Sequence, residues 1–190
     1  VSQRTIGDHW LAGGVATRRG AVQMTKVSSV HNQFGRSSMM KIEELFSVQG
    51  KVALVTGGSR GIGEMIAAGF LTNGVKVYIS SRKKDQCDAT ATRLSETYGA
   101  ECISIPANLS ELSGIESLVA ALSEREDHLD ILVNNAGVAW GAPLEEFPEV
   151  GWDKVFDTNV KGVFFLTQKL LPLLEANATK EDPARIINIG

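Results

Sequence analysis

The run Lys51-Val-Ala-Leu-Val-Thr56, followed at once by Gly57-Gly58-Ser59-Arg60-Gly61-Ile62-Gly63, constrains the fold more than any other feature of the chain. A short, nearly all-apolar run that ends in glycines predicts a strand buried on both faces. The small and apolar residues from Gly63 to Thr72, closed by Asn73-Gly74, predict a helix with a glycine at its C-terminal end. A glycine turn between such a strand and such a helix lets the backbone come close to a phosphate. The helix then aims free N–H groups and the positive end of its dipole at the anion. A nucleotide is therefore the predicted ligand. No Gly-Lys-Ser/Thr follows, which excludes a phosphate loop of the ATPase type.

The same alternation continues along the chain. Strands are predicted over 75–80, 102–107, 129–133 and 185–189, and helices over 85–98, 113–125 and 151–175, the last with a kink at Pro172. Ser113 and Glu116 stand at capping-box spacing, and Ile115, Leu118, Val119 and Leu122 make one apolar stripe. Continuous apolar strands alternating with helices predict an α/β chain, a parallel sheet with helices on both faces in the doubly wound arrangement.

The first forty residues behave differently. They carry five basic residues against one acid, while the rest carries 14 basic and 21 acidic residues, so a +4 segment precedes a −7 body. Glycine and serine pairs interrupt every apolar run there, and no packed structure is expected over 1–39. An Arg- and Ser-rich, acid-poor segment reads either as a transit peptide or as a non-native extension ahead of Met39-Met40. We take the second reading, with the incomplete nucleotide-binding domain spanning 40–190. The net charge of −3 offers no footprint for nucleic acid, and no apolar run is long enough to cross a membrane. Cys87 and Cys102 read as free thiols in a reducing compartment. That places the protein in the cytoplasm, or in mitochondria if 1–39 is a transit peptide. His9, His31 and His128 lack ligand spacing, so no metal site is expected.

The glycines at 57, 61 and 63 form G-x-x-x-G-x-G rather than G-x-G-x-x-G. Asn134-Asn135-Ala136-Gly137 follows the fourth predicted strand, and Thr158-Asn159-Val160-Lys161-Gly162 lies in the long helix. With these three motifs in order, the chain from Met40 to Gly190 resembles the short-chain dehydrogenases/reductases. The loop and the Ser80-Ser81-Arg82 strand end are most similar to the 3-oxoacyl-carrier-protein reductase group, including its rhamnolipid-type branch. The resemblance implies a Rossmann fold and hydride transfer between a nicotinamide cofactor and a small carbonyl or alcohol substrate. It also implies a homo-dimer or homo-tetramer for the full-length protein.

Residue by residue, the resemblance assigns Gly57, Ser59, Arg60, Gly61, Ile62 and Gly63 to the cofactor loop. An acid after the second strand would bond a ribose 2′-OH and repel a 2′-phosphate. Here stand Ser81 and Arg82, with Lys83 beside them, and Arg82 with Arg60 would hold that phosphate by charge-assisted bonds. NADP(H) is accordingly expected over NAD(H). Asn108-Leu109 occupy the adenine end, where similar proteins usually carry Asp first, and the Asn108 oxygen could still accept from the adenine amino group. Asn135, Ala136 and Gly137 would line the cofactor, and Asn134 would tie neighbouring strands together. Trp140 and Trp152 fall near the substrate side or simply pack. Asn159 would organise a helix distortion and a water that completes a proton relay, and is the one catalytic residue assigned.

The family's acid/base Tyr needs a Lys four residues on. Only Tyr78 and Tyr98 exist, followed at that spacing by Arg82 and Cys102. The family's serine would follow a strand like Ile186–Gly190. The expectation is an N-terminal portion, truncated after the fifth strand and without turnover by itself. A non-catalytic NADP-binding sensor or scaffold is the rival reading.

Overall fold

A computed structural model describes residues 46–190; the expectations for 1–39 and Met40 lie outside the described residues. Five strands alternate with helices: β1 (Val52–Thr56), α1 (Gly61–Thr72), β2 (Lys76–Ser80), α2 (Lys84–Tyr98), β3 (Cys102–Ser104), α3 (Leu112–Ser123) and β4 (Ile131–Asn134). After a 3₁₀ turn at Leu144–Glu146 come α4 (Glu149–Phe156), a π-helical turn (Asp157–Lys161), α5 (Gly162–Ala176) and β5 (Arg185–Asn188). All strand pairs are parallel, in the order β3-β2-β1-β4-β5. This is the doubly wound Rossmann fold.

The apolar runs of the sequence are explained by a sheet covered on both sides. All five residues of β1 are buried. Val52 and Leu54 join Tyr78 and Leu132 under Ile115, Leu118 and Leu122 of α3 and Leu166, Leu170 and Leu174 of α5. Ala53 and Val55 point the other way, joining Val77, Ile79 and Val133 under Ala67 and Leu71 of α1 and Ala91 and Leu94 of α2. Successive side chains of a strand alternate between faces, so a run apolar at every position fills both layers.

Two local expectations are corrected. α3 starts at Leu112 with Glu111 at its N-cap and no side-chain cap, so Ser113 already lies inside the first turn. Glu116 instead reaches across to Lys169 of α5, at 2.9 Å. The predicted single helix over 151–175 is divided into α4 and α5 by the π turn at Asp157–Lys161, and α5 continues through Pro172 to Ala176.

Candidate cofactor cleft

The glycine loop leaves β1 through Gly57, whose φ of 66° falls in the left-handed region that suits glycine. Arg60 precedes α1, and no side chain accepts from the first N–H groups of the helix there. The loop folds so tightly against α1 that a Cβ on Gly63 would sit 2.3 Å from the Gly57 carbonyl oxygen and 2.5 Å from Asn135 Nδ2. A Cβ on Gly58 would sit 2.7 Å from Ile79 Cγ2 on β2. These glycines are required for space, independent of any ligand.

Behind the loop, Thr56 and Asn135 lock the ends of β1 and β4 together. Thr56 Oγ1 accepts from the Asn135 and Ala136 N–H groups, both at 3.0 Å, and donates to the Val133 carbonyl at 3.2 Å. Asn135 Nδ2 donates back to the Thr56 carbonyl at 3.0 Å. Asn134 Nδ2 donates to Asn188 Oδ1 at 2.9 Å, so it ties β4 to β5 as its position suggested.

The cleft above this lock has a volume of about 360 Å³ and lies at the carboxyl ends of the strands. Gly57, Ser59, Arg60, Gly61, Ile62 and Gly63 form one wall; Ser81, Arg82 and Lys83 stand at the end of β2; Asn108 and Leu109, then Asn135, Ala136 and Gly137, complete it. All the loop and strand-end residues singled out from the sequence thus come together. Ser80, Gln86, Ala107, Val138 and Thr158 also line the cleft. Ser80 and Thr158 stood inside quoted motifs without a role, and no sequence signal marked Gln86, Ala107 or Val138, because only the fold turns these positions toward one space.

Charge is uneven around the cleft. Arg60, Arg82 and Lys83 are exposed and form no ion pair among the described residues, whereas Lys84 is paired with Asp88 and Arg93 with Glu64. Lys84 and the Ser104 hydroxyl hold the Asp88 carboxyl below its ordinary value. The Asn108 carboxamide is engaged within its own loop. Its Oδ1 accepts from Ser110 Oγ at 2.9 Å, and its Nδ2 donates to Glu111 at 2.6 Å.

Asn159 lies in the π turn, beside the cleft and not on its wall. It lines an adjoining apolar pocket with Trp140, Phe147, Trp152, Val155 and Phe156, and Val138 borders both spaces. Trp152 stacks on Phe156 with centroids 4.5 Å apart, and Trp140 packs over Gly151. Neither tyrosine reaches the cleft. Tyr78 is buried in the sheet with its hydroxyl bonded to Glu126, and Tyr98 ends α2. Among the described residues no cluster of metal-ligating side chains occurs.

Residues 51–190 match the family model described as short chain dehydrogenase. The chain belongs to this family. Its members include the rhamnolipids biosynthesis 3-oxoacyl-[acyl-carrier-protein] reductase of Pseudomonas aeruginosa, 56% identical over 145 residues, which cover 76% of this chain and 56% of that one. The gluconate 5-dehydrogenase of Gluconobacter oxydans is 37% identical over 129 residues, 68% of this chain and 50% of the relative. The chain therefore spans about half the length of these curated relatives. Among solved structures, the Pseudomonas aeruginosa RhlG/NADP active-site complex superposes with a TM-score of 0.73 at 56% identity, covering 76% of this chain and 56% of that one. The L-sorbose reductase of Gluconobacter frateurii, complexed with NADPH and L-sorbose, gives 0.70 at 28% identity, covering 75% and 52%. Among the described residues no helix is long and apolar enough to cross a membrane.

Proposed function

We propose that this chain is the NADP(H)-holding part of an oxidoreductase that interconverts a carbonyl and an alcohol. The carrying observation is a set of three cations that pair with no acid among the described residues: Arg60 in the glycine loop, and Arg82 and Lys83 at the end of β2, all opening into the same cleft. A carboxylate at that strand end would repel a 2′-phosphate; the residues present attract one.

The cradle suits a dinucleotide in shape as well. Gly57, Gly61 and Gly63 bring backbone to the cleft wall with no side chain in the way, and the uncapped start of α1 faces the place a pyrophosphate would take. Ser59, Ile62 and Ser81 line that path; Asn108 and Leu109 bound the adenine end; Asn135, Ala136 and Gly137 bound the opposite end. When bound, the cofactor supplies a hydride for a carbonyl carbon. In this reading Asn159, anchored to Val138 beside the apolar pocket, orders a water near the reacting end and so serves a proton relay; its seat in the π turn next to the cleft supports this.

The finer substrate reading is a 3-oxoacyl thioester, supported by the likeness to the Pseudomonas reductase. The exposed apolar side chains of Trp152, Phe156, Val160 and Phe164 along α4 to α5 support self-association of the whole protein, which light scattering would test. Two buried free thiols fit a cytoplasmic location.

Titration with NADPH and with NADH, followed by nicotinamide fluorescence, tests the cofactor reading. NADPH is expected to bind roughly 10-fold tighter or more, since a hydrogen bond to a charged group is worth about 1.5–3 kcal/mol. Equal affinities, or tighter NADH, would overturn it.

A further inference from the structure

The apolar pocket beside the cofactor cleft has a volume of about 410 Å³, within the range that holds small organic ligands. Four aromatic side chains, Trp140, Phe147, Trp152 and Phe156, stand around it, and each is more than a third exposed. Large apolar side chains gathered round a hollow and left open to water mark a binding surface.

One of these rings is fixed by its neighbours. A Cβ on Gly151 would sit 2.7 Å from Trp140 Cδ1 and Cγ, so only glycine lets the indole lie on α4. Lys154 Nζ stands 5.2 Å from the centroid of the same ring, a cation–π contact. Asn159 ties the loop after β4 to the helix a second time, through Val138. Two ties therefore set how far the loop stands from α4, and with it the width of the hollow.

The lining selects by polarity. Apart from the indole N–H groups, Asn159 brings the only polar side chain, and both ends of its carboxamide are engaged on Val138. A hydroxylated chain would give up water there for few partners, whereas an aliphatic chain has no such bonds to lose. Val138 borders both the pocket and the cleft, so a ligand can extend from one into the other.

We infer that this pocket holds the aliphatic tail of the carbonyl substrate, and that Trp140, seated on Gly151, sets the preference for that tail. The inference rests on the proposed carbonyl–alcohol reading, which puts the reacting carbonyl in the neighbouring cleft.

The test is calorimetric titration of this chain, with NADP+ present, with the 3-oxobutanoyl, 3-oxohexanoyl and 3-oxooctanoyl thioesters of N-acetylcysteamine. Affinity should rise roughly 2- to 4-fold with each added methylene, the upper figure corresponding to about 0.8 kcal/mol per buried CH₂. Trp140→Ala should remove most of this chain-length dependence and leave NADPH affinity unchanged, and Trp140→Phe should keep part of it. Ala139→Leu adds bulk at an exposed position of the lining, away from the core. It should weaken the octanoyl compound roughly 5- to 10-fold and the butanoyl compound little. Absent binding, an affinity independent of chain length, or a dependence that Trp140→Ala and Ala139→Leu both keep would overturn the inference while NADPH binding stands. Thioester affinity that falls as the protein concentration is raised would overturn it too, by giving the pocket to a second copy of the chain. A chain that binds no NADPH defeats the carbonyl–alcohol reading itself, and this inference with it.

Discussion

Asn159 holds both backbone polar groups of Val138: its Oδ1 accepts from the Val138 N–H and its Nδ2 donates to the Val138 carbonyl, each at 2.9 Å. A regular helix spends its polar groups on itself, but here the π turn at Asp157–Lys161 marks where the helix widens. The carboxamide copies what a neighbouring strand would offer, and so fastens the loop after β4 to the α4–α5 helix. Asn159→Leu removes both bonds at once. Urea unfolding should read a loss of about 1–2 kcal/mol, moderated because water reaches this exposed site. Asn159→Asp keeps the acceptor and loses the donor, so it should fall between. Identical unfolding curves for Asn159→Leu and the original would show that the pair does not hold the loop.

Gly63 and Gly69 lie on the same helix and should respond in opposite ways to alanine. At Gly63 the added carbon meets the Gly57 carbonyl oxygen at 2.3 Å and Asn135 Nδ2 at 2.5 Å, neither of which is a loose side-chain end. Asn135 is itself held to Thr56 at 3.0 Å. Gly63→Ala should therefore cost about 1–3 kcal/mol and weaken NADPH binding by prising the loop from the helix. Nothing lies within 4 Å of a Cβ on Gly69, so Gly69→Ala should add about 0.5–1 kcal/mol through helix propensity alone. Denaturant titrations of the two variants check both signs together.

Arg82→Ala and Arg60→Ala test which cation reads a 2′-phosphate. Each removes an exposed charge that pairs with no acid among the described residues, so neither should change stability by more than about 0.5 kcal/mol. In the proposed reading, Arg82→Ala lowers NADPH affinity roughly 10-fold or more while leaving NADH within about twofold, and Arg60→Ala does the same more weakly. The salt dependence of NADPH binding should flatten in both. Equal losses for the two cofactors would move these arginines from the 2′-phosphate to the shared pyrophosphate.

The parts of the fold that were legible in the sequence are those set by local pattern. The run from Val52 to Thr56 could only be a strand with two covered faces, and the glycines at 57 and 63 marked a turn where no side chain fits. What the sequence concealed depends on partners far along the chain. Glu116 had the spacing of a capping-box acid, but Lys169 on another helix claims it. Asn108 looked free to meet a base, yet Ser110 and Glu111 take both ends of its carboxamide. Asn159 was legible as an oddity in an apolar helix, but its hold on Val138 needed the loop after β4 brought alongside.

Tyr78 gives the alkaline limit of stability. It is buried in β2 with its hydroxyl 2.5 Å from Glu126, which also pairs with Lys76 at 2.7 Å. Burial, and then the bond to Glu126, push the phenol up to about 12. Burial pushes the Cys102 thiol up to about 12 as well. Both groups keep their protons in the folded chain at a pH where the unfolded chain has begun to lose them. Below about pH 7.5 both states are protonated at these groups and stability is unaffected. Between the ordinary values and about 12 the unfolded chain binds fewer protons, so stability falls as pH rises. Urea unfolding at a series of pH values from 8 to 11.5 should show this decline beginning near the ordinary thiol value and steepening past the ordinary phenol value. Tyr78→Phe removes the phenol's part of the slope, on the order of 1–2 kcal/mol across the range, while Cys102→Ala removes the thiol's part, which begins earlier and runs over the same alkaline range. Because Lys76 still pairs with Glu126, Tyr78→Phe leaves no carboxylate unpaired and should fold at pH 8. An unchanged slope above pH 10 in Tyr78→Phe would mean that the phenol is not held protonated by the fold.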